Sequence, residues 1–378
     1  MAEAESGTGL EGQSPESVRA VLALRLAELA AWPESRILPH ERQLVGDVVL
    51  RLMRTADPKA RRRCAEGVAK LVDAPNGLLR YLACDEIEVA QPILLDSISL
   101  TDLDQLEVIR TATAAHWCVL AKRRDLAPCV SDALVNTRDI GTITALLANG
   151  EAELAAVTLD TLVAIASEAP KLIPVVMERQ ELKPAQGFTL FWAADAEGRQ
   201  RALRRFAVDR NVLTSELSDL FIRAKTEKWL DPVSLHALGF LERRQRNRPE
   251  VEGATLESYV AAMGAHARVE EEEISVLASM CGITPATMAK ILHDPGGEPF
   301  AVLTKAVGLR RDPTVRLWRA IGGTIGDREN RTQPFGRMAF VYDTLSNAKA
   351  QTVLRYWNWA ITAHFLGQGG LGASAALG

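Results

Sequence analysis

The stretch Arg123-Arg124-Asp125-Leu126-Ala127-Pro128-Cys129-Val130-Ser131-Asp132-Ala133-Leu134-Val135 decides how this chain is read. The charged junction Arg124-Asp125-Leu126, then a proline, then apolar residues at helical spacing predict a loop that opens a short helix. Proline suits the first turn because its missing N–H would have had no intrahelical partner. Related junctions follow at Arg179-Gln180-Glu181-Leu182 and Arg210-Asn211-Val212-Leu213, their leucines 56 and then 31 positions apart. After the third comes Leu217-Ser218-Asp219-Leu220-Phe221-Ile222, which matches Val130–Val135 in type 87 positions on. Upstream, Asp57-Pro58-Lys59-Ala60-Arg61 and Asp85-Glu86-Ile87-Glu88-Val89 open similar helices 28 positions apart. A period near 28 to 31 positions that holds two short helices is what stacked helical hairpins produce. One hairpin cannot bury its apolar face, and its neighbours cover it. An irregular bundle with look-alike junctions is the alternative.

Composition agrees with helices throughout. Of 378 residues, 47% are hydrophobic but only 5% aromatic, and Ala and Leu, strong helix formers, dominate. The predicted fold class is all-α: a HEAT-like α-solenoid followed by a smaller C-terminal helical region with a helix-turn-helix-like unit. The predicted layout is a disordered tip at 1–16, the repeat array at 17–235, the C-terminal region at 236–365 and a flexible tail at 366–378. A last helix is expected near Tyr342 to His364, with Trp357 and Trp359 on different sides and one of them exposed toward a partner. Asn149-Gly150 reads as a left-handed helix stop.

Charge and cysteines narrow the class. A net charge of −4 gives no electrostatic reason for sequence-independent nucleic-acid binding. The five cysteines, Cys64, Cys84, Cys118, Cys129 and Cys281, are widely spaced, without metal-ligand grouping, and fit a reducing compartment. The N-terminus lacks the basic start and apolar core of a signal peptide. The stretch from Trp357 to Gly378 has no formal charge but holds five glycines, Asn358, His364 and Gln368, so it makes a poor membrane span. A cytoplasmic protein is expected.

Several stretches resemble a bacterial family known as DUF2336, found mainly in alphaproteobacteria and without an established biochemical function. Between about Leu38 and Leu182 the resemblance rests on Arg61-Arg62-Arg63-Cys64-Ala65-Glu66 with Ala74-Pro75, and on Leu82-Ala83-Cys84-Asp85 leading to Pro92-Ile93-Leu94 and Leu100-Thr101-Asp102-Leu103. Its clearest piece runs from His116 through Leu120-Ala121-Lys122-Arg123 and Val130–Val135 to Leu146-Leu147-Ala148-Asn149-Gly150-Glu151-Ala152. A later part is Gly282-Ile283-Thr284-Pro285, Asp294-Pro295-Gly296-Gly297-Glu298 and Lys305-Ala306-Val307-Gly308-Leu309. The resemblance implies no catalytic residue.

No phosphate loop, dinucleotide fingerprint, HExxH or GxSxG is present. Gly322-Gly323-Thr324-Ile325-Gly326 reads as a connector. His266 and Glu270 stand four apart, but Glu270 to Glu273 reads more simply as an acidic first helical turn. No enzyme, cofactor or metal site is expected. His116, Trp117 and Arg123 form the most distinctive cluster in the array. They are read either as a partner-binding patch or as structural hydrogen-bond donors to the neighbouring turn. The expected function is a non-enzymatic scaffold or regulator that binds another protein through a curved helical surface, in bacterial signalling or cell-surface regulation. The alternative is a DNA-binding regulator that uses residues 272–293, with Thr287 and Lys290 toward the bases and Arg243, Arg244 and Arg246 on phosphates.

Overall fold

Many helices in this chain begin where a side-chain oxygen or a proline stands ready to start them. Asp57 accepts from the Ala60 amide at 2.7 Å, Asp139 from Thr142 at 2.7 Å and Asp195 from Gly198 at 2.8 Å. Thr101 and Asp104 close a capping box. In the computed structural model every element among the described residues is helical. The structure describes residues 15–30, 32, 36–208, 217–245, 253–264 and 268–367. Most of the expected tip and tail, and the junction at Arg210–Leu213, lie outside these. No single helix among the described residues is long and apolar enough to cross a membrane.

Two compact units divide the chain, residues 1–180 and 181–378. The first holds α1 (Pro15–Ala30), α2 (Pro39–Arg54), α3 (Pro58–Val68), α4 (Asn76–Ala83), α5 (Ile87–Asp96) and α6 (Asp102–Thr111). It continues with α7 (Ala114–Leu120), α8 (Pro128–Asn136), α9 (Ile140–Ala148), α10 (Ala156–Glu168), a 3₁₀ turn and α11 (Ile173–Val176). Odd-numbered helices touch in series, α1 to α3 to α5 to α7 to α9 to α11, and even-numbered ones do the same from α2 to α10. From α3 to α9 the odd series starts at Pro58, Ile87, Ala114 and Ile140, 26 to 29 positions apart, and α11 follows 33 positions on at Ile173. From α3 to α10 the helices are 7 to 13 residues long, too short to be stable alone. Burial holds them: Leu78, Leu79 and Leu82 of α4 are wholly enclosed, and such side chains contribute about 1.5–3 kcal/mol each.

Stacked helices end inside the protein, and the last carbonyls of each need donors. Here the donor sits in the corresponding loop one repeat later. Ser99 Oγ donates to the carbonyls of Leu71 (2.7 Å) and Val72 (2.6 Å), beyond α3. Arg123 reaches those of Leu94 (3.2 Å) and Ser97 (2.5 Å), at the end of α5. Asn149 Nδ2 donates to Ala121 (3.0 Å) and Arg123 (2.6 Å), at the end of α7. Arg179 donates to Asn149 and Ala152, both at 2.8 Å, at the end of α9. The left-handed stop expected at Asn149 is therefore replaced: its backbone is extended (φ −83°, ψ 98°), and its side chain caps the preceding repeat instead.

The second unit contains α12 (Pro184–Phe191), α13 (Ala196–Phe206), α14 (Ser218–Thr226), α15 (Pro232–Gln245), α16 (Gly253–Ala262) and α17 (Glu271–Met280). After these come α18 (Pro285–Leu292), α19 (Glu298–Ala306), α20 (Arg311–Ala320), α21 (Pro334–Thr344) and α22 (Asn347–Gly367). Helices α12, α18 and α19 all pack on α22, and α21 packs on α19. The division falls after Gln180. Aromatic contacts explain it: Phe188 meets Tyr356 at 5.4 Å and Phe191 meets Trp357 at 4.9 Å between ring centroids, which ties α12 to the far end of the chain. Tyr342 belongs to α21, not to the last helix, because Ser346 restarts the chain and its Oγ accepts from the Lys349 amide. Trp357 is buried and Trp359 exposed, as their spacing suggests. Burial pushes the Cys64 and Cys281 thiols up to about 12, so both act as small hydrophobes.

The ladder has a measurable weight. Asn149→Ala leaves the Ala121 and Arg123 carbonyls without their donor and is expected to cost the first unit about 1–3 kcal/mol in urea unfolding. Asn136→Ala, which removes only an exposed contact to Asp132, is the control and is expected to stay within about 0.5 kcal/mol. Equal losses in the two variants would contradict the capping role.

Candidate functional site

His116 and Arg123 stand at opposite ends of α7 and turn most of their polar atoms inward, His116 toward the start of α5 and Arg123 toward its end, so the structure does not bring them together with Trp117 as one patch. His116 is buried, its Nε2 2.7 Å from the Asp85 carbonyl and its Nδ1 3.0 Å from Thr113 Oγ1. Arg61 holds the Asp85 carboxylate at 2.6 Å and 2.9 Å, so Asp85 is gripped from helices on both sides. Arg123 sends both terminal nitrogens into the α5 carbonyls, and burial draws its pKa down. The Trp117 indole N–H is buried without a partner. This geometry supports the structural reading of the cluster over the partner-binding one.

Residues 271–292 form two helices joined by a short turn. Helices α17 and α18 meet at 114° through Gly282, whose φ of 64° suits a residue without a side chain. Thr284 caps α18 by accepting from the Thr287 amide at 3.3 Å, with Pro285 at the first position. Side-chain directions differ from the expectation. Thr287 is fully buried, and its hydroxyl donates to Asn358 Oδ1 of α22 at 3.0 Å. It cannot reach a base, because Met288 and Ile291 carry the same face onto α22. Lys290 is exposed, its Nζ 4.5 Å from the Trp192 ring centroid. Arg243 and Arg244 lie on α15, where the side chains are not described, and Arg246 and His266 lie outside the described residues. Glu270 and Glu273 form the acidic capping turn of α17. Gly322 to Gly326 is a connector, with Trp318 Nε1 donating to the Thr324 carbonyl at 3.0 Å. No group of three or more His, Cys, Asp or Glu among the described residues could hold a metal ion.

A cluster that the sequence did not disclose lies at Asp294-Pro295-Gly296-Gly297-Glu298. Arg199 of α13 donates to both Asp294 oxygens at 2.7 Å and to Glu298 Oε2 at 3.1 Å. Arg337 of α21 brings Nε within 2.9 Å of Glu298 Oε1. Glu298 is fully buried at the first position of α19. Burial pushes its pKa up, against the pull of its own backbone N–H and the two guanidinium groups. Both glycines are required. A Cβ on Gly296 would overlap Arg199 Nη1 and Glu298 Oε2, and Gly297 has φ +84° against the Pro334 carbonyl. Residues read as a turn thus close a four-charge knot that joins α13, α19 and α21. The signal was half visible in two acids four apart. Their cations, 95 and 39 positions away from Asp294 and Glu298, were not.

Removing one member of the knot exposes the coupling. Arg199→Met is expected to destabilise the second unit by about 3–5 kcal/mol. The triple variant Arg199→Met/Asp294→Asn/Glu298→Gln is expected to lose less. Glu298 has a folded-state pKa above its unfolded value of about 4.3. The favourable linkage is therefore present at low pH and fades as pH rises, and losing Arg199 raises the pKa further. Arg199→Met should accordingly be more destabilised at pH 8 than at pH 5, by denaturant titration at each pH. Equal losses at both pH values, or a larger loss in the triple variant, would refute the knot.

No curated protein and no solved structure matches the chain. A family model described as "Uncharacterised protein conserved in bacteria (DUF2336)" matches residues 89–355. Arg61–Glu66 and Leu82–Asp85 precede that range, whereas His116, Arg123, Asn149, Arg179, Arg199, Asp294, Glu298 and Arg337 all fall within it. The match spans both units and well over half of the sequence, and the chain belongs to the DUF2336 family.

Proposed function

We propose that this protein is a non-enzymatic interaction protein of the bacterial cytoplasm, acting in signalling or cell-surface regulation. In this reading its first unit is a HEAT-like α-solenoid whose curved surface binds another protein. The ladder of Ser99, Arg123, Asn149 and Arg179 carries the proposal. Four successive loops each cap the helix end one repeat back, the cohesion expected of a stack in which each repeat contacts its neighbours. The distinctive polar side chains serve that stack, which leaves its loop edge as the recognition surface.

That edge repeats apolar residues where none is needed for packing. Val72, in the loop after α3, and Ile98, in the loop after α5, stand 26 positions apart and are 70% and 71% exposed. Leu103, in the first turn of α6, is 74% exposed. Exposed apolar side chains that form a contiguous patch are the usual mark of a protein-binding surface, and in this reading these three belong to one. The regulator alternative keeps one supporting observation, the 114° bend between α17 and α18. It loses Thr287 as a base contact.

Affinity capture with mass spectrometry should compare the whole chain with the variant Val72→Glu/Ile98→Glu/Leu103→Glu. At least one protein recovered reproducibly with the unaltered chain is expected to disappear with the variant, at unchanged helical content. The same recovery from both would sink the edge as the recognition surface. Filter binding to random duplexes at low salt tests the alternative, which falls if no duplex is retained.

A further inference from the structure

A second surface lies wholly within the second unit, between α13 and the corner where α21 turns into α22. It is a groove of 320 Å³. Leu203 of α13 and Val341 and Leu345 at the end of α21 form its buried floor, and Phe340 stands beside them. Arg204 and Lys349 flank it, both exposed. Neither has a carboxylate partner among the described residues, and no carboxylate lines the groove.

The unpaired state of these cations is local. Acids on the same helices are already engaged: Glu197 with Arg201 at 3.2 Å, and Asp343 with both Arg311 and Arg328. A third cation, Arg331, sits 3.8 Å from the Phe340 ring centroid. An apolar trough between cations without counter-charge favours a ligand that combines an apolar side chain with negative charge. Gln200, also on the wall, offers both an amide donor and an acceptor, which suits a peptide backbone better than a hydrocarbon chain.

We propose that this groove docks an acidic–apolar peptide segment of a partner protein. One large apolar side chain seats on Leu203, Val341 and Leu345, and adjacent carboxylates are held by Arg204 and Lys349. The site is separate from the loop edge of the first unit and does not depend on it.

Fluorescence anisotropy on the whole chain tests this with a labelled octapeptide of alternating Glu and Leu or Phe residues. Saturable binding is expected, weakened at least tenfold by Arg204→Glu/Lys349→Glu. Replacing every Glu of the peptide by Gln should weaken it as much, a comparison that leaves the protein unaltered. Raising salt from 50 to 300 mM should weaken it too, as Coulomb attraction at an exposed site requires. Absent saturable binding, or an affinity indifferent to charge reversal on either side, would overturn the proposal. So would retention on phosphatidylglycerol vesicles without peptide binding, which would make the surface a membrane contact. The Val72→Glu/Ile98→Glu/Leu103→Glu chain should bind the peptide like the parent, so the two surfaces fail or succeed separately.

Discussion

A helix that ends against a neighbouring helix layer leaves carbonyls in need of donors, and the first unit is organised around that constraint. From α3 to α10 its helices are too short to stand alone and must stack, and stacking covers their ends. Ser99, Arg123, Asn149 and Arg179 each answer such an end from the corresponding loop two helices later, so each layer helps complete the one before it. The need for long or forked donors at one place per repeat explains why Arg and Asn recur there. An arginine can satisfy carbonyls at several angles with one planar group.

The second unit meets a related demand with charge. The Asp294–Glu298 loop must turn sharply between α18 and α19, and its two acids are buried by that turn. Arg199 and Arg337 approach from α13 and α21 and neutralise them. A buried pair of this kind is weak as a source of net stability but severe when broken, which suits a role in fixing one arrangement of three helices. The same packing turns Thr287, Met288 and Ile291 inward, so α18 presents this face to α22.

Helix class was legible because it depends on local features: Asp57-Pro58, Thr284-Pro285 and the leucines at 126 and 182, both buried. Reading Arg124 as the junction residue missed the register by one, since Arg123 aligns with Arg179, each three before its leucine. The polar purpose of His116 and Arg123 could be framed as a choice, because every junction needs its carbonyls satisfied. Only coordinates reveal that Asp85 and Leu94 lie opposite them. The division after Gln180 and the charge knot rest on contacts across roughly 40 to 170 positions, between residues such as Phe191 and Trp357. Spacing within a window carries no trace of such pairs.

Native-state hydrogen exchange on the whole chain with Arg179→Met tests most directly whether the repeats cap one another. If they do, protection falls most in α9 to α11, less in α7 and α8, and stays at parental levels in α1 to α3, as nearest-neighbour coupling requires. An even loss from α1 to α11, or none beyond the turn that carries residue 179, would contradict it.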